Sequence, residues 1–157
     1  MPARPIQQWF DEYAESHRNP VNVAVHWIAV PVIFFTIVGL LYSIPPISFG
    51  ERLGGISPAN IAVAAVVVYY LMRSLSLAVG MALFCIACLF TARSLALHAA
   101  WPLWAICAGL FVLAWIAQFW GHGVEGKKPS FLKDIQFLLI GPAWLLSKIY
   151  RRLGIPY

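Results

Sequence analysis

The sequence predicts an all-α integral membrane protein: a helical bundle with about four transmembrane helices and an interfacial helix at each end of the chain. Of the 157 residues, 61% are hydrophobic and 11% are charged, whereas a soluble domain has about 25% charged residues. The apolar residues fall in long runs, which is typical of membrane-spanning helices. This composition excludes a soluble enzyme, a disordered tail and a nucleic-acid-binding module. Residues 1–157 are predicted to form a single membrane domain.

The first elements are a polar segment and a long apolar run. Within residues 1–22, Trp9 and Tyr13 share a helical face, which predicts a short interfacial helix with its aromatic rings at headgroup level. The first span is predicted at about residues 21–44, since roughly 20 apolar residues at 1.5 Å each cross a ~30 Å hydrocarbon core. Pro31 should kink this helix.

The middle of the chain contains an apolar stretch that is too long for one span. A single helix from residue 58 to 93 would measure about 50 Å. Dividing it at the polar turn around Arg73 predicts two spans, at about residues 58–73 and 76–93. A tryptophan-rich fourth span is predicted at about residues 99–120.

The last apolar stretch, residues 131–150, contains Gly141-Pro142 and charged residues. It is therefore predicted to be a broken interfacial or re-entrant segment rather than a fifth span.

The basic residues orient this topology. With four spans, the N-terminus, the turn at Arg73 and the C-terminal segment lie on one side of the membrane. That side carries nine of the 11 Lys and Arg residues, which leaves Arg52 and Arg93 on the other side. This bias predicts that both termini are cytoplasmic, in the inner membrane of a bacterium or the endoplasmic reticulum of a eukaryote. Basic residues beside apolar runs also favour contact with membrane lipid headgroups and not with nucleic acid.

Three of the four histidines are predicted to meet at the cytoplasmic face. His17 precedes the first span, His26 lies just inside it, and His122 ends the fourth span at the same face. His98 enters the fourth span from the opposite end, ~36 Å of helix from His122. It can join the others only if the chain after Arg93 bends or the predicted boundaries are wrong.

Other polar residues accompany these histidines. Asn22 lies one helical turn before His26, and Gln118, His122 and Glu125 form one ridge if the helix continues past two glycines. Polar groups at bilayer depth are costly and usually face a cavity or one another. Imidazoles with a carboxylate and an amide suit Fe, Zn, Cu or Ni, with the acid as a ligand, a base or a partner of a ligand.

The residues alone leave two other functions open. His26 and His122 on facing spans are also a suitable pair of axial ligands for one haem, as in membrane electron carriers. Histidines at a membrane interface are often structural, which fits a non-catalytic lipid-binding protein. The oligomeric state does not follow from the sequence.

Two segments carry most of these polar residues. They read Tyr13-x-x-x-His17-Arg-Asn-Pro-Val-Asn22-x-x-x-His26-x-x-x-x-Pro31 and Trp115-Ile-Ala-Gln118-Phe-Trp-Gly121-His122-Gly-Val-Glu125-Gly126-Lys-Lys-Pro129. Both segments resemble the Mpo-like membrane family, whose fungal member is a 2-hydroxy-fatty-acid dioxygenase. Together with the predicted spans, they cover nearly the whole chain.

The resemblance implies an Fe(II)-dependent, O₂-consuming enzyme of fatty acid α-oxidation that needs no 2-oxoglutarate. Such an enzyme converts a 2-hydroxy fatty acid into the acid one carbon shorter and releases CO₂. The metal ligands that the resemblance implies are His17, His26 and His122, with His98, which lies outside both segments, as a further candidate.

The resemblance also implies roles for the polar residues near these histidines. Glu125 would be a metal ligand or a proton-handling group, and Asn22 and Gln118 would orient ligands or bind the substrate carboxylate. The acid headgroup would be attracted by three basic residues: Arg18, Lys127 and Lys128.

Overall fold

The computed structural model describes residues 5–48, 55–126 and 131–157, and for residues 131–137 it describes the backbone alone. Within these ranges the chain is mainly helical, as predicted. The elements in chain order are α1 (Ile6–Ala14), α2 (Pro20–Tyr42), β1 (Ile47–Ser48), β2 (Gly55–Ile56), α3 (Pro58–Leu71), α4 (Leu75–His98), α5 (Leu103–Glu125) and α6 (Phe131–Leu153). The two short strands pair antiparallel, with Ile47 opposite Ile56.

The sequence marks the helix starts with capping side chains. Asn19 caps α2 by accepting a hydrogen bond from the Val21 backbone N–H at 2.9 Å, and Ser57 and Ser74 cap α3 and α4 in the same way. Such caps satisfy backbone donors that the first helical turn leaves free. At the other end of α5, Gly126 adopts a positive φ of 73°, which a glycine tolerates without steric cost.

Among the described residues, three helices are long and apolar enough to cross a membrane: α2, α4 and α5. The shorter α3 has 14 residues and measures about 21 Å. It returns the chain from the far end of α2 to the start of α4, so the span predicted at about residues 58–73 corresponds to a helix that is shorter than α2, α4 and α5. The apolar stretch divides at Arg73, as the sequence predicts, because α3 ends at Leu71 and α4 begins at Leu75.

The central helix pair is α2 against α5, which run antiparallel. Asn22 faces Gly121 at one end of the pair, Ala29 packs with Ala114 in the middle, and Gly39 contacts Cys107 at the other end. Small residues let the two backbones approach closely, as is common between helices in membranes. This pairing brings the start of α2 beside the end of α5.

Helices α1 and α6 close the bundle at that same end. Phe10 and Tyr13 of α1 are buried, and Phe10 lies 6.1 Å from the ring of the C-terminal Tyr157. Tyr150 of α6 donates a hydrogen bond to the backbone oxygen of Ser76 at the start of α4. Helix α1 and the C-terminal residues therefore lie together, at the end of the bundle where α2 begins.

Two predicted boundaries need correction. Helix α4 continues to His98, so this residue ends α4 and does not enter the next span. Helix α6 is continuous through Gly141 and Pro142, so the predicted break there is wrong. A Cβ on Gly141 would lie 3.1 Å from Val30 Cγ1, which shows that α6 packs closely on α2 at this point. This packing favours one helix over the local preference of Gly-Pro for a break.

Candidate metal centre

Three histidines from three separate segments meet at the end of the bundle. His17 follows α1, His26 lies on α2 and His122 lies near the end of α5. The ring centroids of His17 and His26 are 4.2 Å apart, and the His122 ring is 5.3 Å and 5.1 Å from them. One potential ligand atom from each residue lies within 4.8 Å of the other two, and all three residues are buried.

Backbone carbonyls fix the orientation of two of these rings. His17 Nδ1 lies 2.5 Å from the Tyr13 carbonyl oxygen and His26 Nδ1 lies 2.8 Å from the Asn22 carbonyl oxygen. A carbonyl only accepts, so each Nδ1 carries the proton and each Nε2 has a free lone pair. A metal-ligating histidine usually has this arrangement, with its second ring nitrogen held by a carbonyl or a carboxylate.

His17 is available as a neutral ligand. Burial lowers its pKa to about 4, although the hydrogen bond to the Tyr13 backbone acts in the opposite direction. The imidazole therefore carries no proton on its ligating nitrogen at neutral pH. A metal ion at this position has no proton to displace, which favours binding.

Several buried polar atoms at this centre have no hydrogen-bond partner among the described residues. They include His17 Nε2 and His122 Nδ1, and also the side-chain oxygens of Asn22 and Gln118. Buried polar atoms normally have partners, because leaving one unsatisfied costs about 1–3 kcal/mol. A metal ion would supply partners for the imidazoles, and three imidazoles are a ligand set that suits Fe, Zn, Cu or Ni. The residues present therefore fit a transition-metal site.

Glu125 connects the segments that carry the histidines. Helix α5 remains helical through the two glycines, as the predicted ridge requires. The Glu125 carboxylate accepts hydrogen bonds from the backbone N–H groups of Arg18 (3.1 Å) and Asn19 (2.8 Å). It accepts a third from Asn22 Nδ2 at 3.2 Å, and Asn22 Nδ2 also donates to the Ser16 carbonyl at 3.1 Å. The carboxylate is thus directed at the start of α2 and lies outside the three-histidine group.

An aromatic wall covers the outer side of His17. The Tyr13 ring stacks on His17 at a centroid distance of 4.0 Å and an angle of 9°, and the Trp144 ring of α6 lies 5.5 Å from His17. Lys148 Nζ lies 3.8 Å from the centre of the Trp144 ring. Trp144 and Lys148 are not among the site residues that the sequence predicts. Their four-residue spacing on an amphipathic helix was the available indication.

The structure does not bring all the predicted residues to this centre. His98 is exposed at the end of α4, and the 19 residues of α5 between it and His122 span about 29 Å. Arg18 is exposed and contributes its backbone N–H to Glu125. Lys127 and Lys128 lie outside the described residues.

Comparisons with known proteins give one family. The sequence model of the family described as "2-hydroxy-palmitic acid dioxygenase Mpo1-like" matches residues 3–153. The chain is also 28% identical over 146 residues to the 2-hydroxy-palmitic acid dioxygenase MPO1 of Saccharomyces cerevisiae. That similarity covers 90% of this chain and 78% of the yeast protein. No solved structure is significantly similar to the chain.

Proposed function

Because this chain belongs to the Mpo1-like family, we propose that it is an Fe(II)-dependent dioxygenase of fatty acid α-oxidation. Its substrates are a 2-hydroxy fatty acid and O₂, and its products are the fatty acid one carbon shorter, CO₂ and water. The observation that carries this proposal is the group of three buried histidines with ligand atoms within 4.8 Å of one another. The curated yeast relative is a dioxygenase by name, which supports an oxidoreductase.

The proposed reaction balances without a further reductant. The bond between the carboxyl carbon and C2 of the substrate breaks, and the carboxyl carbon leaves as CO₂. C2 is oxidised to the new carboxyl carbon. The four electrons released reduce one O₂, so no 2-oxoglutarate or other co-substrate is required. Fe(II) supplies the redox chemistry that allows O₂ to react with a closed-shell acid.

The protein residues have distinct proposed roles. His17, His26 and His122 hold the iron, and three protein ligands leave positions open, as in other catalytic metal sites. Glu125 and Asn22 keep the ligand-bearing segments in register through their hydrogen bonds.

The other residues predicted for the site are assigned separately. Gln118 lies one helical turn from His122, and its buried oxygen has no partner, so we assign it to the substrate. Arg18, Lys127 and Lys128 remain proposed attractants for the acid headgroup. His98 is not assigned to the site, because it lies exposed at the end of α4.

The haem alternative fits this geometry less well. A haem would have to separate His26 from His122, with one ring on each face of the porphyrin. Here the His17 ring lies 4.2 Å from His26 and 5.3 Å from His122, so the third imidazole occupies the space beside the pair. We therefore favour a non-haem centre.

The proposed location of the site suits a membrane-dissolved substrate. We propose an integral membrane protein with both termini in the cytoplasm, in the inner membrane of a bacterium or the endoplasmic reticulum of a eukaryote. The histidines then lie at the cytoplasmic interface, where the acid headgroup of a fatty acid resides. The acyl chain would extend into the bilayer or between the helices.

The first test is iron per chain in the detergent-purified protein, with an absorption spectrum of the same sample. About one iron without a Soret band supports the proposal, and conversion of 2-hydroxypalmitate to pentadecanoic acid with O₂ uptake then follows. Iron with a Soret band would indicate the haem carrier. No metal after anaerobic Fe(II) loading would favour the lipid-binding protein. His98→Ala is the matched control for His122→Ala, since both remove an imidazole near a helix end.

A further inference from the structure

Lys148 is a half-buried cation on α6, folded back over an aromatic ring. Its Nζ lies 3.8 Å from the centre of the Trp144 ring, and a lysine so close to an indole face is attracted by the ring quadrupole. Among the described residues, no carboxylate forms an ion pair with Lys148. The ammonium group is therefore positioned by a neutral ring, and its charge is left uncompensated.

Trp144 connects this cation to the metal centre. It is 5% exposed, and its ring lies 5.5 Å from His17 and 5.1 Å from Tyr13. The Trp144 ring thus lies close both to the ammonium group and to a histidine of the site.

A lysine on an interfacial helix has an ordinary explanation, which is that its chain extends to reach the lipid headgroups. That explanation accounts for the neighbouring Arg152, which is exposed. It does not account for Lys148, whose ammonium group lies over a buried ring on the site-facing side of the helix. Arg151 also differs, because its guanidinium donates a hydrogen bond to the Tyr157 hydroxyl.

We propose that the Lys148 ammonium group, held on the Trp144 ring, binds the carboxylate of the long-chain acid at this site. The inference rests on the proposed function, because the headgroup is the charged part of a 2-hydroxy fatty acid and must lie beside the three histidines to react. A carboxylate leaving water needs a charged hydrogen-bond partner. Lys148 is a cation that lies directly against the aromatic wall of the centre.

The test is Lys148→Met, which keeps an unbranched side chain one atom shorter than lysine and removes the ammonium group that lies over the Trp144 ring. We expect the KM for 2-hydroxypalmitate to rise about 10- to 100-fold, since a hydrogen bond to a charged group contributes about 1.5–3 kcal/mol. The kcat and the iron content should stay within twofold of the unmodified protein. Lys148→Arg should restore most of the affinity, and Arg152→Met, one turn farther along α6, should change neither constant.

A binding measurement under argon separates this inference from the proposed function. It compares 2-hydroxypalmitate with its methyl ester, which has no charge, by displacement of a fluorescent fatty acid. The unmodified protein should prefer the acid about 10-fold or more, and Lys148→Met should lose this preference. In one outcome, the unmodified protein prefers the acid and shows no turnover, while Lys148→Met loses that preference. This result would refute the proposed function and support the carboxylate site. If Lys148→Met turns over with an unchanged KM and still prefers the acid to the methyl ester, the carboxylate site alone is overturned. Loss of iron in that variant would also overturn the carboxylate site alone.

Discussion

Replacement of Glu125 distinguishes a positioning carboxylate from a chemically reacting one. This side chain follows His122 by three residues on α5 and accepts hydrogen bonds from two backbone N–H groups that lie directly after His17. Through Asn22 it also contacts the first turn of α2, which carries His26. If its role is to hold these segments together, its removal should weaken iron binding before it affects any later step.

The magnitude follows from the three hydrogen bonds. Each bond to a charged acceptor contributes about 1.5–3 kcal/mol when buried, and Glu125 is only half-buried, so we expect about 2–4 kcal/mol in all. Loss of a residue that supports metal ligands typically lowers metal affinity about 10- to 100-fold. Glu125→Ala should therefore weaken Fe(II) binding about 100-fold. Glu125→Gln keeps one acceptor oxygen and should weaken it about 10-fold.

The assay is an anaerobic Fe(II) competition with a chromogenic chelator, together with turnover at saturating iron. Glu125→Gln should recover most of its kcat when iron saturates the site. Asp11→Asn is the control. Asp11 is an exposed carboxylate on α1 that accepts a hydrogen bond from Gln7 of the same helix. Unchanged iron affinity in both Glu125 variants would refute the positioning role. Normal iron affinity with abolished turnover would show instead that the carboxylate handles a proton.

Three further predictions test the site and its packing. Gly121→Ala should lower the free energy of unfolding by about 1–3 kcal/mol and reduce the melting temperature, because the new Cβ would lie 2.6 Å from Asn22 Oδ1. Gly123→Ala should leave both unchanged, because no atom lies within 4 Å of a Cβ at that position. His122→Ala should abolish stoichiometric iron binding measured by elemental analysis, whereas His98→Ala should retain it. Gln118→Leu should raise the free energy of unfolding by about 1 kcal/mol, because it removes a buried oxygen that has no partner among the described residues. The same variant should have lower turnover. A stable, fully active variant would contradict the assignment of Gln118 to the substrate.

Much of this arrangement could be predicted from the sequence, because it follows from helix length and direction. The apolar runs predict where the long helices lie, and a polar turn at Arg73 divides the longest run. Antiparallel helices of known rise then place His17, His26 and His122 at one end and His98 at the other. The structure brings the first three together, as this geometry requires.

Contacts between distant segments could not be predicted in the same way. The carboxylate of Glu125 bonds to Asn19, which is 106 positions away in the chain, and no local pattern pairs these residues. The continuity of α6 depends on packing of Gly141 against α2, which overrides the tendency of Gly-Pro to break a helix. The approach of Trp144 to His17 depends in turn on that continuous helix.

Charge balance links the ligand set to the proposed substrate. Three neutral imidazoles leave the charge of a bound Fe(II) uncompensated in a buried site, which is unfavourable in a medium of low dielectric constant. The carboxylate of Glu125 accepts hydrogen bonds from backbone N–H groups and lies outside the three-histidine group. On the proposed function, the anionic headgroup of the acid supplies the missing negative charge. Iron and substrate should then each strengthen binding of the other by the same factor, and 2-hydroxypalmitate should protect the centre against chelators while its methyl ester does not.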